Sequence, residues 1–188
     1  MAVPELYAYF DMDGVLVRFD EDDAATKPCL VPGSRYFRDL PPDTKAVDLM
    51  RCVDEFPKVR TSVLTRLVPK IGPDLAEEHE ADKLGWCVRY RLVEGFGDGA
   101  GKPPFRCLRD ADDKTPALAG IPTDARRAHV LVDDDPAMVR SWKRAGGTAF
   151  LYVQSHRHIR NTNLAALGRS MSVPEMAARI LSAAARRK

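Results

Sequence analysis

Residues 7–20, YAYFDMDGVLVRFD, end an apolar run on two aspartates one residue apart, Asp11 and Asp13, before Gly14 and a return to apolar residues. Carboxylates at the end of a buried strand are costly unless something compensates their charge. Three other polar sets follow apolar stretches in the same manner. Thr65 and Arg66 close VRTSVL, Lys114 lies in the DDKT loop beyond FRCL, and Asp133, Asp134 and Asp135 follow AHVLV. Brought together, these sets supply up to five carboxylates, a hydroxyl and an ammonium. So many carboxylates do not stay ionised side by side without a cation. Oxygen-only ligation favours Mg²⁺, which keeps several waters and shares its site with phosphate oxygens. One aspartate can then attack phosphorus and form an aspartyl-phosphate. A second, one residue on, can serve the leaving group as acid and then water as base. Asp11 is accordingly the candidate nucleophile and Asp13 its proton carrier. Thr65 and Lys114, with Arg66 beside them, are candidates for holding the phosphoryl oxygens and offsetting transition-state charge.

These groups meet only if the strands that carry them run in parallel. Leu6–Phe10, Val59–Leu67, Phe105–Leu108, Ala128–Val132 and Thr148–Val153 read as strands, being short, apolar and β-branched or aromatic. Between them, helical spacing at Ala46, Val47, Met50, Val53 and Phe56 predicts a helix begun by Pro41-Pro42-Asp43 and ended by Pro57. A long polar-rich helix is expected from Pro73 to about Phe96, with His79 on an exposed face. Another opens at Pro136 and stops at Gly146-Gly147. A terminal helix runs from Val173 to Ala185. Strands alternating with helices predict a three-layer α/β, Rossmann-like fold with a mainly parallel sheet, whose functional groups gather at the carboxyl ends of the strands.

The chain of 188 residues is long enough for one domain, taken as 1–188, with a short insert at 18–36 and a basic C-terminal segment at 154–188. Charge is uneven. Arg157 to Lys188 holds seven Lys/Arg against one acid, a net of +6, while the remainder holds 22 basic and 26 acidic residues, a net of −4. Such a tail attracts nucleic acid in some proteins, but positive residues also suit a helix C-terminus, and that reading is preferred. Cys29, Cys52, Cys87 and Cys107 form no zinc-type spacing. With no signal peptide and no membrane span in view, a cytoplasmic protein with reduced thiols is expected.

The four motifs FDMDGV (10–15), Thr65 ending a strand, Lys114, and LVDDD (131–135) resemble those of the haloacid dehalogenase superfamily of phosphatases. Within it the chain is most similar to the 5′(3′)-deoxyribonucleotidases, through PGSRYFRDLPP (32–42), RYRLVEGFG (89–97), RDADDKT (109–115) and VLVDDDPAMVR (130–140). The resemblance covers roughly residues 6–153. It implies Asp11 as nucleophile and Mg²⁺ ligand, and Asp13 as acid/base with its backbone carbonyl on the metal. It further implies Asp134 as a direct ligand, with Asp133 in support and orienting Lys114. Arg89 falls where that family has a phosphate-contacting lysine. The insert after the first strand is much shorter than the nucleoside-enclosing cap of that family. Arg66 replaces a small hydroxyl residue, so chemistry is implied more firmly than substrate.

Rival readings are weaker. A calcium loop would need oxygens where Val15 and Val17 stand. Lys102 competes with Lys114 but lacks its DDKT setting, and Asp135 before Pro136 suits a helix N-cap. Tyr36 and Phe37 could stack on a base, although core packing suits Phe37 equally. His156 and His158 read as part of a basic surface loop. The expected function is a Mg²⁺-dependent phosphomonoesterase acting on a small phosphorylated substrate, a nucleoside monophosphate first. The alternatives are a phosphatase of nucleic-acid 3′-phosphate ends or phosphoproteins, and a non-catalytic phosphate-binding regulatory domain.

Overall fold

The computed structural model of the chain describes residues 6–18, 28–67, 70–93, 105–109, 114–118, 128–154, 164–168 and 170–185. Its strands are β1 (Leu6–Phe10), β2 (Val59–Arg66), β3 (Phe105–Leu108), β4 (Ala128–Asp133), β5 (Thr148–Val153) and β6 (Ala166–Gly168). They form one sheet in the order β3-β2-β1-β4-β5-β6, with every neighbouring pair parallel. All six residues of β4, AHVLVD, are buried, as expected of a central parallel strand covered on both faces. β6 is an addition to the expected strands. It lies in the segment 154–188 and pairs Leu167 with Tyr152 of β5.

Side chains of successive strand residues point to opposite faces, and two core clusters follow. Ala8, Phe10, Val130 and Val132 face one core, together with Val47 and Met50 of α2 (Thr44–Asp54), Trp86 and Cys87 of α3 (Pro73–Arg89), and Met176 and Ile180 of α5 (Val173–Ala185). Tyr9 and Leu131 face the other, with Val139 and Trp142 of α4 (Pro136–Arg144). Three layers result, the α/β architecture that the alternation of elements implies.

Helix ends follow local chemistry. Asp43 caps α2 by accepting the Ala46 amide at 3.1 Å, and Asp135 caps α4 by accepting the Ala137 amide at 2.7 Å. Ser172 and Glu175 form a capping box at the start of α5, the Ser172 amide donating to Glu175 at 2.6 Å. α3 stops at Arg89, short of the expected Phe96. Arg91 takes the left-handed conformation at φ 56°, and the Leu92 amide reaches back to the Cys87 carbonyl at 2.9 Å. Phe56 lies beyond α2 and is exposed, so it is no part of that helix's apolar stripe.

Of the insert, residues 19–27 fall outside the described residues, as do Lys102, the glycine-rich stretch GFGDGAG (95–101), His156 and His158. Residues 28–40 carry a single 3₁₀ turn at Pro28–Leu30 and the short helix α1 (Tyr36–Asp39), which rest on α3. The Gly33 amide donates to Glu78 at 2.7 Å, and His79 Nε2 donates to the Cys29 carbonyl at 2.6 Å. His79 is therefore buried, against the expectation of an exposed residue. It occupies the inner face of α3 because the insert covers that face, and burial holds its imidazole below the ordinary range. Among the described residues no helix is long and apolar enough to cross a membrane.

Candidate active site

Strand order reverses direction at β1, which has β2 on one side and β4 on the other. Ligands in open parallel sheets bind at such a switch, beyond the carboxyl ends of the strands. Phe10 is in register with Val63 of β2 and Val132 of β4, so the residues following each strand emerge side by side. The Asp11 amide bonds the Val132 carbonyl at 2.9 Å and extends that alignment one residue further. The chain then turns sharply, the Val17 amide meeting the Met12 carbonyl at 3.0 Å. Met12, Val15, Leu16 and Val17 are buried, and Gln154 Nε2 donates to the Val17 carbonyl at 2.8 Å. The apolar VLV after the aspartates thus anchors a loop that fixes Asp11 and Asp13 at the sheet edge.

Lys114 joins two strand ends. Its Nζ lies 2.5 Å from Asp11 Oδ1 and 2.7 Å from Asp133 Oδ2. The other Asp133 oxygen accepts the Asp135 amide at 2.9 Å. Burial raises the Asp11 carboxyl above its ordinary value, with Lys114 opposing and Asp13 adding to the rise. Burial likewise pushes Asp133 up to about 6, against Lys114 and with Asp11. Burial pulls the Lys114 ammonium down, but the two carboxylates outweigh it and the net shift is upward.

Asp11, Asp133 and Asp134 each offer an oxygen within 4.8 Å of the others, a hard-donor set that suits a divalent cation. Asp134 lies over Gly14. A Cβ at Gly14 would fall 2.0 Å from Asp134 Oδ2, and the backbone there has φ +79°, the left-handed region. Gly14→Ala should push Asp134 aside and weaken any binding of a divalent cation by the trio roughly 10–100-fold, as disturbance of a metal site's surroundings does. Calorimetric titration with Mg²⁺ checks this, and an unchanged affinity would remove Asp134 from the ligand set.

Asp13 pairs with a second ammonium. Its Oδ2 is 2.5 Å from Nζ of Lys83, a residue that composition and spacing did not single out. Lys83 is fully buried on α3 and also donates to Thr65 Oγ1 at 2.9 Å and to the Arg66 carbonyl at 2.8 Å. The Phe37 ring of α1 covers it, with the centroid 4.5 Å from Nζ. Phe37 is itself buried against His79, so it packs rather than offering a free stacking face. Thr65 is wholly buried, and the half-buried Arg66 supplies its backbone carbonyl to Lys83. Arg89 is elsewhere: it pairs with Asp39 of α1 at 3.5 Å, both side chains being largely exposed. The structure therefore gathers Asp11, Asp13, Thr65, Lys114, Asp133 and Asp134, adds Lys83, and leaves Arg89 at the far end of α3.

No family model matches the chain, and no curated protein matches it. Among solved structures it is similar to one from Burkholderia xenovorans LB400 described as a haloacid dehalogenase-like hydrolase. The sequence identity is 13% and the TM-score 0.49, over 95% of this chain and 99% of that one. At that similarity no activity passes from one protein to the other.

Proposed function

We propose that the chain is a phosphomonoesterase of the haloacid dehalogenase type that uses Mg²⁺ and an aspartyl-phosphate. The observation that carries this reading is the Lys114 ammonium held between Asp11 and Asp133, with Asp134 alongside. The wider charge balance supports it. Asp11, Asp13, Asp133 and Asp134 face two buried ammoniums, Lys83 and Lys114, which leaves an excess equal to one divalent cation. Asp11, Asp134 and Asp133, with the Asp13 backbone carbonyl, would hold the ion. When bound, it would neutralise phosphoryl charge and bring the phosphate beside the nucleophile.

The residues then divide the work. A carboxylate oxygen of Asp11 attacks phosphorus and displaces the ester oxygen, which takes a proton from Asp13. Asp13, now a carboxylate, removes a proton from water as that water attacks phosphorus. The phosphorus–oxygen bond to Asp11 breaks and inorganic phosphate leaves. Thr65 accepts a bond from Lys83, which has no acceptor of its own. The Thr65 hydroxyl itself donates to the Arg66 carbonyl at 3.5 Å, a long bond that one to a phosphoryl oxygen would replace. Lys114 keeps Asp11 and Asp133 in register and offsets charge gained in the transition state. The substrate proposed first is a nucleoside monophosphate, a deoxynucleotide above others, on the strength of the motif resemblance from residue 32 to residue 140.

The test is phosphate release with Mg²⁺ from a panel. It holds 5′- and 3′-nucleotides of both sugars, sugar phosphates, p-nitrophenyl phosphate and a 3′-phosphorylated oligonucleotide. Release strongest on one nucleotide set is expected. Weak release from every small ester, with strong release from the oligonucleotide, would shift the substrate to nucleic-acid ends. No release from any member would leave a phosphate-binding regulatory domain.

A further inference from the structure

Lys83 is the buried charge to which the mechanism above gives only a share of the charge balance and a bond to Thr65. An ammonium has three N–H donors and no acceptor. Here three acceptors surround it: Asp13 Oδ2 at 2.5 Å, Arg66 O at 2.8 Å and Thr65 Oγ1 at 2.9 Å. No donor remains for a phosphoryl oxygen, so direct phosphate binding is not its role. The Phe37 face 4.5 Å away closes the remaining side against water. Meanwhile Asp13 Oδ1 is buried and has no hydrogen-bond partner among the described residues.

Resting on the phosphatase reading, we infer that Lys83 is a positioning residue for proton transfer. By pinning Oδ2 it fixes the Asp13 carboxyl that gives the proton to the leaving oxygen and later takes one from water. Lys83 lies on α3 and Phe37 on α1, so α1 takes part by sealing the anchor.

Leaving-group dependence separates this role from a structural one. A nucleoside monophosphate expels an alkoxide that needs a proton, whereas p-nitrophenyl phosphate expels a phenolate that does not. The quantity to compare is kcat/KM, which reports bond breaking to the leaving group and not the later attack of water. Lys83→Met should lower kcat/KM on the nucleotide by about 10²-fold or more, within the range ascribed to a positioned acid. The loss on p-nitrophenyl phosphate should be less than tenfold, with affinity for inorganic phosphate unchanged. Lys83→Arg keeps the charge but spreads its donors over a planar fork, and should give the same split. It also serves where the Met variant folds poorly.

In an Asp13→Asn background, Lys83→Met should add no further loss on the nucleotide, since both act on one carboxyl. Equal losses on both esters, or weakened phosphate binding, would overturn the inference. Full activity in both variants would overturn it as well. A wild type that hydrolyses neither ester would instead sink the phosphatase reading. The pair is then judged by melting of the metal-free single and double variants, where additive effects would mean that Lys83 and Asp13 do not act together.

Discussion

Asp13→Asn is expected to lower turnover of a nucleoside monophosphate by about 10²–10⁴-fold, the contribution typical of a positioned general acid and base, while Mg²⁺ still binds. The amide fills the same volume and can still accept the Lys83 N–H, so the loop that carries it should persist. It can neither deliver a proton from an acid form nor take one from water. Asp11→Asn should instead reduce phosphate release to background on every ester, because no phosphoenzyme forms. The two variants differ in a second observable. Briefly labelled substrate should leave phosphate covalently attached to Asp13→Asn, most readily from p-nitrophenyl phosphate, but none on Asp11→Asn. Rapid quench and acid precipitation read this directly. Unchanged turnover in Asp13→Asn would sink the assignment of the proton carrier.

Five of the six strands, their parallel arrangement and the residues beyond their ends were legible because these are strong local signals. LYAYF and AHVLV read as strands, and both lie in the middle of the sheet with nearly every residue buried. The polar residues that follow them had no apolar role, which made Asp11, Asp13 and Asp133 conspicuous. Lys114 needed only the loop context of DDKT. Lys83 and His79 were missed for the opposite reason. Both lie on the inner stripe of α3 with Ala76, Trp86 and Cys87, so polar residues dilute the periodicity that marks a buried face. A lysine spaced with Ala76 and Cys87 was itself a signal, since lysine is almost never fully buried without partners. Those partners sit on β2 and in the turn after β1, and they become neighbours only through the fold. Arg89 shows the reverse error of sequence position. Six residues further along α3, it has moved past the strand ends and meets Asp39 on α1.

Lys114→Met is the variant with the largest expected cost in stability, and the pH dependence of that cost identifies the cause. Removing one partner of a buried ion pair leaves uncompensated charge, a loss of about 3–5 kcal/mol. In the metal-free wild type both carboxyls already lie above their ordinary value of 3.8, Asp11 raised by burial and Asp133 pushed up to about 6. Lys114 is the main opposing influence on each, so without it both rise further. Between 3.8 and the raised values the folded state holds protons that the unfolded chain has released. Stability must therefore fall as pH rises through that window, and the deficit of the variant must be widest near pH 8 and narrowest near pH 4. Thermal melts of metal-free wild type and variant at the two pH values measure the gap. Mg²⁺ should recover part of it at the higher pH, because the ion competes with protons for the carboxylates that hold it. A gap of equal size at both ends would mean that Lys114 contributes by packing alone. Its place between Asp11 and Asp133 would then be a contact without electrostatic consequence, and the charge balance that favours a divalent cation would lose its support.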